Sequence, residues 1–412
     1  MALRIAAGTL IPGRGEPIAD GLVVLNGDNI VYAGTAVGAP PAGPDDSLTR
    51  VPAVMPGMWE AHGHFVGSPI PDLEHMATAD PNSLVARATA DAAATLDAGV
   101  TSVREVGGIG LSLKPVIDEG SIRGPRIYAA GSILSTTGGH ADIHGLPLDF
   151  VRSLDDRGFR FSQICDGIEG VLVGTRKQLR RGATHIKICA SGGVLSELDH
   201  PIHQQFSDEE LKAIVDEAAR AERIVAAHCH GKPGIDAALR AGAGTIEHGS
   251  YLDEESAQMM LDTGAILVPT RFVIDALLQM EDSLPAYAYR KGVMVADHHA
   301  MALKTAIAAG VKIAMGTDIF VSGPLYGRNS LEVKLLIDAG MAPLDAIEAA
   351  TANGPDTLGP QAPKSGQLVA GYQADVIAFD VNPLEDDTVW GDPDRVTHVW
   401  KAGVPTKTPG IA

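Results

Sequence analysis

The 412-residue sequence has only three cysteines, Cys165, Cys189 and Cys229. They are too few, and odd in number, for a disulfide framework in a chain of this length, so a reducing cytoplasm is the expected compartment. Aromatic residues make up only 4 %, and positive charge is outweighed, with 32 Lys+Arg against 51 Asp+Glu and a formal net charge of −19. A field of that sign repels polyanions, which argues against nucleic acid and anionic membrane surfaces as partners. No charge-free apolar stretch reaches the roughly 20 residues a transmembrane helix needs. Met1–Pro12, with one basic residue and an early proline, reads poorly as a signal peptide. These absences leave a folded, soluble protein.

What is present is a chain able to bury a large core, with 45 % hydrophobic residues and 20 % charged. From Pro52 to Asp318, short β-branched apolar runs alternate with longer Ala-rich stretches, the pattern of a parallel sheet with crossover helices. The runs are 54–64, 100–106, 126–131, 184–190, 224–230, 244–249, 265–270 and 311–318. Ser207-Asp-Glu-Glu210 is a capping box, and Gly99, Gly182, Gly242, Gly264 and Gly310 stand where helices should stop. Eight strands with helical crossovers predict an α/β fold of the (β/α)8 TIM barrel kind over residues 55–359. Residues 1–54 and 360–412 read as strands and turns, with Asn26-Gly27 a hairpin signal, and are expected to pair into one small β-sandwich.

A barrel keeps its active site at the C-terminal ends of its strands, and these ends are rich in metal-ligand residue types. His62 and His64 close the first run and, with period two, share a face. Taken alone they are either a metal pair or two histidines satisfied by core or solvent. His228 and His230 close the fifth run in the same way, which turns Cys229 to the opposite face as a packing residue. His248 ends the sixth run and Asp318 the eighth. Lys187 lies between Ile186 and Ile188, facing the barrel interior if those two face the helices. It is an ion-paired or snorkelling lysine, a Schiff-base amine, or a lysine turned into a ligand by covalent modification. Cys189 is nearby, but with no second cysteine a zinc–thiolate site is not expected. Together, His62, His64, Lys187, His228, His248 and Asp318 at one end of one barrel define a site.

Met55-Pro-Gly-Met-Trp-Glu-Ala-His-Gly-His64, Gly182–Lys187, Ala226–His228, Glu247-His-Gly249 and Gly316-Thr-Asp318 resemble, in order and spacing, the signatures of the amidohydrolase superfamily. Gly99–Gly108, Thr137-Gly-Gly-His140, Ala190–Gly193 and Gln205–Glu210 are similar to its imidazolonepropionase-like branch, which includes Xaa-Pro dipeptidases, Xaa-Arg/Lys carboxypeptidases and ochratoxin-hydrolysing enzymes. The resemblance implies a metal-dependent hydrolase of amide C–N bonds in a small-molecule, carboxylate-bearing substrate, such as an N-acyl amino acid or dipeptide, and it is compatible with a homo-oligomer. It implies two divalent ions, zinc first with manganese, cobalt or iron as alternatives, that activate a shared water. Lys187 would be carboxylated and bridge them, with His62, His64 and Asp318 on one ion and His228 and His248 on the other. Asp318 would also move the proton, and His140 would donate a hydrogen bond to the scissile carbonyl. His230, Tyr326, Arg104 and Arg271 are the expected substrate contacts, Arg271 gripping the carboxylate unless it pairs with Asp275. The sequence departs from the family pattern at Glu60 and Glu105, which replace aspartates, at His230, where relatives often carry tyrosine, and at Tyr326, where many carry histidine. Hydrolysis of neutral aryl amides, ureas or carbamates is the alternative. A Schiff-base lyase and a noncatalytic metal-binding barrel are the remaining ones.

Overall fold

The computed structural model describes residues 2–156 and 161–409. The N-terminal segment forms β1 (Leu3–Leu10), β2 (Ile18–Asn26), β3 (Asn29–Thr35) and β4 (Ser47–Pro56). Asn26 pairs with Asn29 across the expected hairpin turn, where Gly27 takes the positive φ of 58° that such a turn favours. The middle of the chain supplies β5 (Met58–Gly63), β6 (Val100–Glu105), β7 (Arg126–Ala129), β8 (Ile133–Ser135) and β9 (Ser162–Ile164). It continues with β10 (Ile186–Cys189), β11 (Val225–Cys229), β12 (Thr245–His248) and β13 (Ile266–Val268). The C-terminal segment adds β14 (Val376–Phe379), β15 (Val396–Lys401) and β16 (Val404–Lys407).

The two termini meet in one seven-stranded sheet, ordered β16-β15-β14-β4-β1-β2-β3. The parallel strands form two further sheets, β13-β12-β11-β10-β8-β9 and β5-β6-β7. Two backbone hydrogen bonds reach beyond these ladders: Thr184 N–H, just before β10, donates to Ala129 O of β7 at 2.9 Å, and Ala61 N–H of β5 donates to Met315 O of the segment 311–318 at 2.8 Å. The result is an α/β fold whose parallel strands carry His62, Lys187, His228 and His248 toward their C-terminal ends, with His64 just past β5.

Three of the expected runs behave differently from their pattern. Residues 54–64 divide at Gly57, the first part staying in the terminal sheet as β4 and the second becoming β5. Residues 126–131 stop at Ala129, and the chain resumes as β8 beside β10 after Gly131 turns it with a φ of 76°. Residues 311–318 run alongside β13 through a single bridge, Leu267 to Ile313, rather than a ladder. Gly316 explains the close approach there, since a Cβ on it would lie 2.4 Å from Val268 Cγ1 and 2.7 Å from His62 Cβ. The helix signals hold: Ser207 and Glu210 make both bonds of a capping box, and Gly242, Gly264 and Gly310 end their helices in the left-handed conformation. No helix among the described residues is long and apolar enough to cross a membrane.

Candidate functional site

His62 lies near the end of β5 and His64 just beyond it, with ring centroids 5.2 Å apart. Each Nδ1 meets an acceptor, His62 at 2.7 Å from Glu247 Oε2 and His64 at 2.6 Å from the Gly107 carbonyl. Those acceptors put the ring proton on Nδ1 and leave an Nε2 lone pair free to ligate. Both Nε2 atoms face Asp318 Oδ1, at 3.5 Å from His62 and 3.1 Å from His64. On β11 and β12, His228 Nδ1 and His248 Nε2 are 2.9 Å apart, and His248 Nδ1 is held 2.7 Å from Thr270 Oγ1. Burial pushes the basicity of His62, His228 and His248 well below the usual histidine range. They are therefore neutral rings with lone pairs, the form a cation binds. The donor atoms gather in two overlapping groups, His62–His248–Asp318 and His228–His230–His248, within 4.8 Å of one another in each group.

Lys187 enters the same cavity from β10, fully surrounded by protein, and its Nζ has no hydrogen-bond partner among the described residues. Burial lowers its pKa, because an ammonium cut off from water and acceptors is strongly disfavoured. An orphaned amine beside a cluster of neutral imidazoles and a carboxylate fits a lysine that carries CO2 and serves as an anionic ligand. The backbone around the site is strained where it re-aims side chains. His248, Thr270 and Asp318 have φ of 71°, 54° and 58°, a region that non-glycine residues rarely occupy. Strict alternation would send Glu247 inward and His248 outward; the left-handed turn at His248 lets both face the interior.

Residues 53–406 match the amidohydrolase family. The chain is 44 % identical to ochratoxinase of Aspergillus niger over 99 % of its own length and 87 % of that enzyme's. The crystal structure of A. niger ochratoxinase superposes with a TM-score of 0.92 at 43 % identity, covering 100 % of this chain and 96 % of that one. This chain belongs to the amidohydrolase family. A Xaa-Pro dipeptidase crystallised with methionine in its active site has a TM-score of 0.88 at 30 % identity, with 99 % of this chain and 100 % of that one covered. Amidohydrolases are metal-dependent, and this one is a hydrolase acting on amide C–N bonds.

The amidohydrolase cavity is lined by His62, His64, His140, Lys187, His228, His248 and Asp318, together with Leu73, Ile133, Phe161, Leu195 and Phe320. His140 stacks on His228 with centroids 4.3 Å apart. The four expected substrate contacts, Arg104, Arg271, Tyr326 and His230, do not line this cavity. Arg104 is completely buried beneath the site, donating to Ala61 O, Thr245 Oγ1 and, at 2.6 Å, Glu247 Oε1. It supports the residue that orients His62 and does not line the cavity. Arg271 donates to Asp275 Oδ1 and, at 3.2 Å, to Ala296 O. It starts the helix Arg271–Leu278, and the i,i+4 spacing with Asp275 draws the guanidinium along that helix and away from the cavity. The Tyr326 ring packs on Phe65 in the core and its hydroxyl donates to His64 O, which makes it a brace for the His64 backbone. His230 is buried with Nδ1 2.7 Å from Ser250 Oγ and its ring stacked on His248, so it joins the imidazole cluster without lining the cavity.

Residues supporting the ligands were partly legible. Glu60 accepts from His62 N, Thr317 N and Oγ1, and Asn329 Nδ2, tying the first ligand pair to the segment that carries Asp318. Glu105 accepts from Gly110 N and Phe65 N, and burial pushes its pKa up to about 8. Both side chains support the site through these bonds. Glu247, by contrast, stood in the sequence only as a neighbour of His248, and nothing marked it as the partner of Arg104 and His62.

Proposed function

We propose that this amidohydrolase hydrolyses the amide bond of N-acyl amino acids with a bulky apolar acyl or side-chain group, ochratoxin-type amides included. The observation that carries this reading is 44 % identity to an ochratoxinase over nearly the whole chain, together with an apolar rim of Leu73, Ile133, Phe161, Leu195 and Phe320 around the polar centre. The fold that holds the site is read as a (β/α)8 barrel over residues 55–359, with the segments 1–54 and 360–412 forming a β-sandwich beside it. His62, His64 and Asp318 would hold one divalent ion, His228 and His248 the other, and carboxylated Lys187 would bridge them. When bound, the ions supply Lewis acidity at the scissile carbonyl and a water of lowered pKa, zinc being the first choice for this nitrogen and oxygen donor set and manganese, cobalt and iron the others.

The protein's own groups perform the remaining tasks. Asp318, beside both Nε2 atoms of the first pair, is placed to accept a proton from the attacking water and return it to the leaving nitrogen. Glu247 and the Gly107 carbonyl keep the two imidazoles aimed. His140, at the cavity wall, hydrogen-bonds the reacting amide group. A second reading, hydrolysis of neutral aryl amides, ureas or carbamates, is favoured by one feature: among the described residues no arginine lines the cavity. Paired substrates separate the two. Zinc-loaded enzyme should hydrolyse N-acyl-phenylalanines at least tenfold faster, in kcat/KM, than the matching phenylalaninamides, anilides and phenylureas. Equal or inverted preference sinks the carboxylate reading.

A further inference from the structure

The loop between β10 and the helix Asp208–Arg220 contributes Leu195 to the cavity wall and is fastened from the long helix Ala286–Ala309. Lys291 Nζ donates to Ser196 O and Asp199 O, both at 2.6 Å, and to Asp199 Oδ1 at 3.1 Å. Within this loop Asp199 Oδ2 accepts from Gly193 N at 2.9 Å and from Gln205 Nε2 at 3.1 Å. With an ammonium and two N–H donors directed at it, the Asp199 carboxylate is ionised and can only accept. Ser196 Oγ lies in close hydrogen-bond contact with Asp199 Oδ1 and 2.8 Å from His140 Nδ1.

The single hydroxyl proton of Ser196 cannot serve both neighbours. If it pointed at His140, two oxygen lone-pair centres would face each other at Asp199 Oδ1, so it points at Asp199. The contact to His140 then exists only if His140 Nδ1 carries a proton and donates it to Ser196 Oγ. Packing holds the ring in this pose from two more sides. A Cβ on Gly193 would sit 2.1 Å from His140 Nδ1, and the His140 backbone N–H donates to Gln205 Oε1 at 3.0 Å.

We propose that Ser196 and Asp199 are positioning residues that lock His140 in its Nδ1–H tautomer, so that the neutral ring presents an Nε2 lone pair to the cavity. This reverses the polarity expected from the sequence. His140 accepts a hydrogen bond from an N–H or O–H of the bound substrate or water, and does not donate one to the scissile carbonyl. The catalytic consequence rests on the amide-hydrolase reading above; the tautomer does not.

The test uses zinc-loaded protein labelled with 15N in the histidine rings and long-range 1H–15N correlation spectra, with His140 assigned by its loss in His140→Gln. The expected wild-type pattern is a protonated Nδ1 and a bare Nε2 for His140. Ser196→Ala should shift the ring toward Nε2–H. Asp199→Asn should do the same, because the new amide can donate to Ser196 Oγ and free its hydroxyl to donate to Nδ1. Ser196→Thr should keep the wild-type pattern. In turnover of an N-acyl-phenylalanine, Ser196→Ala should lower kcat at least tenfold with KM within threefold, and Ser196→Thr should retain a third or more of kcat. An Nε2–H ring in the wild type, or an unchanged tautomer in both Ser196→Ala and Asp199→Asn, overturns the proposal. A shifted tautomer with unchanged kcat overturns its catalytic part. Absence of turnover by the wild type on every amide tested would refute the amide reading while the spectra still decide the tautomer.

Discussion

Replacing Glu247 by glutamine separates two jobs that the structure assigns to one carboxylate. Its Oε1 accepts from Arg104 Nη2 at 2.6 Å and its Oε2 from His62 Nδ1 at 2.7 Å, and the side chains of both Arg104 and Glu247 are wholly buried. Glu247→Gln removes the charge from both bonds and leaves the Arg104 guanidinium buried without a counter-ion. Charge-assisted bonds contribute about 1.5–3 kcal/mol each, and breaking one side of a buried pair costs about 3–5 kcal/mol. The expected loss is therefore about 3–5 kcal/mol, read as a fall in the urea midpoint of metal-free protein with an unchanged slope. The second effect is on His62. Without an anionic acceptor at Nδ1 its Nε2 is less basic and less fixed, so affinity for the ion it helps to hold should drop roughly 10–100-fold. A competition titration against a chromophoric chelator measures it. The double variant Arg104→Met, Glu247→Leu should recover part of the stability, because no lone buried charge remains, and none of the metal affinity. If Glu247→Gln costs less than about 1 kcal/mol and leaves metal affinity unchanged, the orienting role of Glu247 is wrong.

Three further outcomes are expected. Lys187→Ala should abolish hydrolysis and regain part of it with a short carboxylic acid such as propionate, which can occupy the place of the carbamate; rescue by small amines instead would point to Schiff-base chemistry. Elemental analysis should find close to two divalent ions per chain, and dialysis against a chelator should remove activity that zinc, manganese or cobalt restores, whereas chelator-indifferent turnover would contradict a metal-dependent reaction. Arg271→Ala should change kcat/KM for N-acyl amino acids less than threefold and stability by only about 0.5–1 kcal/mol, since its guanidinium lies along its own helix with Asp275; a tenfold loss confined to carboxylate-bearing substrates would restore it as the anchor.

Much of this architecture is local in origin and legible in residue spacing alone. Period-two alternation placed His62 with His64 and Lys187 between two core isoleucines, and glycines with left-handed backbones marked the helix ends. Strand ends follow from such patterns because a strand's pleat and a helix's cap are decided within a few residues. The tertiary structure decided what long side chains do once the elements are packed. Arg104 and Glu247 are 143 positions apart and His140 and Ser196 are 56, so no spacing rule relates them. A buried guanidinium or hydroxyl goes to whichever acceptor packing brings within reach. Arg271 and Tyr326 show the limit of this: sequence gives a residue's position and not its rotamer, and packing turns the Arg271 guanidinium to Asp275 and the Tyr326 hydroxyl to the His64 carbonyl. His248 shows the same division: the motif identified it, while the left-handed backbone that turns it inward is sustained only by the packed strands around it.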